Sequence, residues 1–151
     1  MDSFNTFKKL TDSRYNEKTV SKIFEEKVRK NPNSLAVVFK DEKLTYQELN
    51  SASNKLARAL INMGVKSGDV IGIVMEQSIE TIIGMISIMK AGATYLPIDK
   101  DFPFDRIQYM LNDSNAKLML IQNEIEKYVQ LNISIEKMCI RDRLNVVGKL
   151  A

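Results

Sequence analysis

Apolar residues along this chain alternate between two spacings. Val20, Ile23, Phe24 and Val28 recur every three to four positions, which predicts an amphipathic helix. Thr19 stands where a side-chain oxygen can cap it, and Asn31-Pro32-Asn33 ends it, because the residue before a proline is pushed out of the helical region. A valine-rich run over residues 35–39 and a second over 43–45 flank the polar pair Asp41-Glu42, which reads as two strands and a tight turn. Thr45-Tyr46-Gln47-Glu48 has the form of a capping box. Leu49, Ala52, Ser53, Leu56, Leu60 and Met63 follow at helical spacing, and Gly64 stands where a left-handed residue closes a helix.

From there the pattern alternates in larger units. Residues 70–75 are a continuous apolar run, as in a strand buried on both faces. Ser78 caps a helix with Ile79, Ile82, Ile83, Ile86 and Met89 on its apolar side, which stops at Ala91-Gly92. Residues 94–98 form another strand, with Pro97 placed at its end by the missing N–H. Phe102-Pro103 opens a helix over 105–112, with Ile107, Met110 and Leu111 inward, and residues 117–121 make a further strand. Strand, helix, strand, helix, strand over residues 70–121 predicts an α/β fold with βαβ units, flanking helices and a mainly parallel sheet.

Composition sharpens this picture mostly by exclusion. The 151 residues are 44% apolar and 27% charged, a globular composition for one domain. Residues 1–19 are polar and irregular, which reads as a linker or arm. No run approaches the roughly 18 apolar residues of a membrane span, and the polar start has no signal-peptide core, so a cytoplasmic protein without a membrane partner is expected. A single cysteine excludes an internal disulfide framework, and the absence of histidine excludes His-based triads and His-metal sites. Net charge is +3, and Arg141, Arg143 and Lys149 against Asp142 account for two of those three charges. Elsewhere basic residues alternate with acids, so nucleic-acid binding is not expected.

Candidate chemistry is thin. Gly64, Gly68 and Gly72 have neither dinucleotide-fingerprint nor phosphate-loop spacing. Asp99 with Asp101, and Glu124 with Glu126, are carboxylate pairs, more simply read as strand-end and helix-surface charges. Asp99 is the more interesting, since open α/β sheets bind ligands beyond the carboxyl ends of their strands. Ser78 and Ser87 lack an activating partner in the sequence, and Lys90 stands at a helix end.

A resemblance adds what spacing does not. Leu44-Thr45-Tyr46-Gln47-Glu48-Leu49 resembles the first core motif of the adenylation domains of nonribosomal peptide synthetases, and the stretch from Met89-Lys90-Ala91-Gly92 through Tyr95-Leu96-Pro97-Ile98-Asp99 resembles the second. The flanks are similar too, including Phe24-Glu25, Gly68-Asp69, Phe102-Pro103, Arg106-Ile107 and Asp113-Ser114, so the likeness covers about residues 20–122. Met89, Thr94, Lys100 and Gln77 depart from the usual residues, at positions of packing or turns. The resemblance implies the start of the N-terminal subdomain of an adenylate-forming ligase in the AMP-dependent synthetase superfamily. It implies ATP and Mg as cofactors of the parent, an amino acid as substrate, and condensation and phosphopantetheine carrier domains as neighbours. Phosphate-loop, pocket and catalytic-lysine motifs of the family lie downstream, so catalytic, cofactor-binding and metal residues here are expected to be none. The alternatives are a piece of an acyl- or aryl-CoA ligase of the same superfamily and a non-catalytic βαβ interaction module.

Residues 138–143, Met138-Cys139-Ile140-Arg141-Asp142-Arg143, match the translation of a transposase-type sequencing adapter. The expected division is therefore a linker over 1–19, resembling that after a condensation domain, a partial subdomain over 20–137, and a non-native tail over 138–151 that packs against nothing.

Overall fold

The structure is a computed structural model that describes residues 19–74, 76–122 and 135–140. Helix α1 (Val20–Lys30) is followed by strands β1 (Leu35–Phe39) and β2 (Glu42–Thr45) and helix α2 (Tyr46–Asn62). Then come β3 (Val70–Val74), α3 (Ile79–Lys90), β4 (Thr94–Ile98), α4 (Phe104–Asp113), β5 (Leu118–Ile121) and β6 (Glu136–Cys139). The expected linker lies outside the described residues except for Thr19, as does Met75, the last residue of the expected strand over 70–75.

The helix starts are built as the sequence predicts. Thr19 accepts from the Lys22 N–H and Ser78 from the Thr81 N–H. At α2 the box is complete: Thr45 Oγ1 accepts from the Glu48 N–H at 3.2 Å, and the Glu48 carboxylate accepts from the Thr45 N–H at 2.8 Å. The Thr45 N–H bond, with the Thr45 hydroxyl donating to the same carboxylate at 2.8 Å, holds the Glu48 carboxyl below its ordinary value. The helix ends share one device. Gly64, Gly92 and Asn115 all adopt left-handed backbone after α2, α3 and α4. In each case the next N–H reaches back five residues: Val65 to Leu60 O, Ala93 to Ile88 O and Ala116 to Leu111 O, at 2.9–3.1 Å. This double-bonded termination satisfies orphan carbonyls and turns a buried residue (Val65, Ala93 or Ala116) toward the core.

The main sheet has the order β4-β3-β5-β6, every pair parallel. The chain steps from β3 to its neighbour β4 through α3, then back across β3 to β5 through α4. Crossovers of one hand that step in opposite directions put their helices on opposite faces. The core divides accordingly. Ile71, Ile73, Leu118 and Leu120 pack with residues of α2 and α3 on one face. Val74, Met119 and Ile121 pack with Ile107 and Leu111 of α4 on the other. Pro97 is the penultimate residue of β4, opposite Ile73, and β4 is an edge strand, where a missing N–H is tolerated. The hairpin β1-β2 is antiparallel and separate; Lys40 makes its turn with a φ of 53°.

The central strand is thin at one point. A Cβ on Gly72 would lie 2.6 Å from Leu111 Cδ2, inside the space α4 occupies. Leu111 is itself fully buried, so its methyl end would have to shift within a packed layer.

One expectation is corrected. Residues from Met138 onward were expected to pack against nothing, yet β6 pairs with β5 in register from Leu118↔Glu136 to Ile121↔Cys139. Met138, Cys139 and Ile140 are buried, and the Cys139 thiol donates to Gln122 O at 3.2 Å. The physical reason is that β5 is buried on both faces and its outer edge offers a parallel ladder, which Glu136–Cys139 completes. Residues 141–151 lie outside the described residues.

Two outcomes follow. Gly72→Ala is expected to destabilise by about 1–3 kcal/mol through overpacking, read as a lower urea midpoint at unchanged slope. Removal of residues 138–151 is expected to cost at least about 2 kcal/mol, since it strips the covering from β5; an unaltered midpoint would show that β6 is not a stable part of the sheet.

Candidate functional site

The carboxyl ends of β3 and β4 open into a groove of about 580 Å³ between α3 and the start of α4. Its apolar lining comes from Ile73, Met85, Pro97, Ile98 and Phe102, and its polar rim from Glu76, Gln77, Thr81, Asp99 and Lys100. This is where an open α/β sheet presents its strand ends, so the topology places it by the same argument that singled out Asp99.

The rim is braced internally. Lys100 Nζ donates to Glu76 Oε1 at 2.5 Å, tying the turn after β4 to the turn after β3. Thr81 Oγ1 donates to Glu76 O, and the Glu76 N–H donates to Gln122 Oε1 at 3.3 Å. The Lys100 hydrogen bond and charge, with a smaller contribution from Lys40, hold the Glu76 carboxyl below its ordinary value.

Most residues considered from sequence have a definite place. Asp99 is exposed on the rim, and its Oδ1 accepts from the Asp101 N–H at 2.9 Å, so its visible work is to close the turn before α4. Ser78 caps α3, and the Ser87 hydroxyl is buried and donates to Ile83 O at 2.5 Å. Lys90 is ion-paired with Glu25 at 2.6 Å. Glu124 and Glu126 lie outside the described residues. Among the described residues no three His, Cys, Asp or Glu side chains gather as metal ligands. The rim carboxylates do not fit a nucleotide-bound magnesium ion: Glu76 is committed to Lys100 and Asp99 to a backbone N–H. No step of phosphate chemistry is therefore derived from them. Sequence reasoning missed the Glu76–Lys100 brace and the Gln122 contact, because both join residues 24 to 46 positions apart without a motif.

The profile described as AMP-binding enzyme matches residues 24–148. The chain belongs to the AMP-binding enzyme family. Tyrocidine synthase 3 of Brevibacillus parabrevis is 48% identical over 113 residues, which are 75% of this chain and 2% of that protein. Zwittermicin A synthase ZmaJ of Bacillus cereus is 42% identical over 130 residues, 86% of this chain and 25% of that protein. The chain thus spans a quarter or less of the length of these relatives. Among solved structures, the N-terminal subdomain of NpsA from Klebsiella oxytoca superposes with a TM-score of 0.77 at 27% identity, covering 87% of this chain and 33% of that one. An artificially fused adenylation–PCP di-domain, NpsA-ThdA from the same organism, gives 0.79 at 28% identity, covering 87% of this chain and 24% of that one.

This AMP-binding family member is thus an α/β chain that matches the N-terminal part of nonribosomal peptide synthetase adenylation domains. Its two motifs do architectural work here. Thr45 and Glu48 start α2, whereas Lys90 through Ala93 end α3 and lead into β4. No helix among the described residues is long and apolar enough to cross a membrane.

The Glu76 brace has a signature. A carboxyl whose folded pKa is lowered contributes stability above its ordinary pKa and loses it as pH falls through the lowered value. Lys100→Gln is expected to move the Glu76 titration, followed by NMR, up toward the ordinary carboxylate range. The stability difference between the two proteins should be present at neutral pH and vanish in acid.

Proposed function

We propose that this chain is the first part of an amino-acid-activating adenylation domain, whose parent forms an aminoacyl-adenylate from ATP and Mg and loads it onto a carrier-protein thiol in nonribosomal peptide synthesis. The observation that carries this reading is the placement of both motifs. Residues 44–49 and 89–99 build one continuous α/β unit that superposes on a solved N-terminal subdomain. The reading gives the parent an amino acid and ATP as ligands and condensation and carrier domains as neighbours, in the cytoplasm, with no nucleic acid or membrane partner. Residues 1–19 are then the linker after a condensation domain, and residues 20–137 are subdomain. Residues 138–151 are translated adapter, with Met138–Ile140 lodged in a strand slot that the native continuation fills.

Adenylate formation needs oriented phosphate contacts and positive charge at the developing anion. The braced rim of the groove supplies neither, so the chain by itself is expected to be inactive. The test is amino-acid-dependent exchange of labelled pyrophosphate into ATP with all twenty amino acids. The 151-residue chain is expected to stay at background, and the gene product read through past the codon for Lys137 to exchange with a defined amino acid. Exchange by the short chain, abolished by a substitution within it, would overturn the inactivity; a stop codon at that point would favour a self-contained βαβ module. Exchange with a carboxylic acid that carries no amine, followed by transfer to coenzyme A, would favour a CoA ligase.

A further inference from the structure

Helix α1 is held to the rest of the molecule quite differently from the chain that follows it. Residues 32–34 are bolted down, because the first two N–H groups of α2 need acceptors and find them there. Tyr46 N–H donates to Ser34 O and Gln47 N–H to Pro32 O, both at 3.0 Å. In contrast, Val28 is the single buried residue of α1, while Val20 and Ile23 are exposed. Beyond Val28, Phe24 packs half-buried against the core that α2 and α3 share, and a polar pair bridges α1 to α3. Lys90, at the last turn of α3, has a side chain only 5% exposed, and its Nζ meets Glu25 Oε1 at 2.6 Å. The same Nζ lies 5.7 Å from the centre of the Phe24 ring, which packs 6.1 Å from the ring of Tyr46. Between the bolt and the helix stands Asn31, with φ −139° and ψ 59°, outside the helical region.

We propose that α1 is a latch that swings on Asn31 independently of the α/β core, and that the Glu25–Lys90 pair is its catch. The ammonium of Lys90 is a desolvated charge whose principal compensation comes from α1. Undocking lets water reach it, whereas loss of Glu25 alone leaves the charge buried against a ring and the carbonyl end of α3. With the carboxylate gone the ammonium keeps only those weaker partners, which favours the open position. Opening uncovers Val28 and Phe24 but breaks no strand pairing, so it does not require the sheet to unfold.

The test is native-state hydrogen exchange on the full chain, residue by residue. In the unsubstituted protein, amides of residues 24–30 are expected to exchange at least about tenfold faster than those of residues 56–60 and 71–74. Glu25→Gln is expected to speed the α1 amides by about a further tenfold and leave the other two groups unchanged. Adding Lys90→Met to Glu25→Gln removes the buried charge and is expected to return the α1 amides most of the way to their original rate. Exchange of α1 in step with α2 and β3 would overturn the proposal, because α1 would then open only by global unfolding. A double variant as fast as Glu25→Gln alone would overturn the role of the buried charge.

Discussion

Leu111 lies where a side chain on residue 72 would have to be, and most of the architecture follows from that contact. β3 is the one strand that pairs with both β4 and β5, so anything that displaces it disturbs the sheet from its centre. The absent Cβ lets α4 come down onto one face of the strand while Ile71 and Ile73 hold α2 and α3 on the other. Two helix layers on one parallel sheet need each strand to be apolar on both sides, and β5 is buried at all four positions. Because the step back from β4 to β5 passes over β3, the strand ends lean toward a common rim, where Glu76, Lys100 and Gln122 are brought together.

The repeated helix termination explains why two short motifs carry so much of the family likeness without touching phosphate. A βαβ unit must end each helix within a residue or two and aim the chain back at the sheet. Gly64, Gly92 and Asn115 each do this by accepting a left-handed backbone, and each is followed by a small or branched apolar residue that anchors the turn in the core. A side chain on residue 92 would also crowd Ser67, which adds a packing reason to the conformational one. The Lys-Ala-Gly-Ala stretch is thus a helix end, and its lysine is spare to reach sideways to Glu25. The Thr45–Glu48 box is the matching helix start, in which both side chains are used up by backbone groups.

Local order was legible wherever the signal is local. Caps, helix periods and the apolar strands at 70–74, 94–98 and 118–121 all stand where spacing puts them, because each is decided within one or two turns of chain. The motifs then identified the family from about eleven and six residues. Two things were not legible. Ion pairs between α1 and α3, or between the turns after β3 and β4, depend on crossings that no periodicity encodes. The strand at 136–139 is a different case: its residues read as foreign, and reading as foreign predicts no packing.

That inference fails on physical grounds. A strand slot selects its occupant by very little: a backbone able to extend, apolar side chains at alternate positions, and no proline in the ladder. Met138 and Ile140, two positions apart, join the cluster shared by α2 and α3, and Cys139 between them is buried as well. Helices are harder to counterfeit, since α2 spends seventeen residues on a coherent face and a cap at each end. The β5 edge is therefore the place where the fold is most permissive, and Gly72 beneath Leu111 the place where it is least so. A sheet built this way is held at its centre by packing on both faces and is least demanding at its margin.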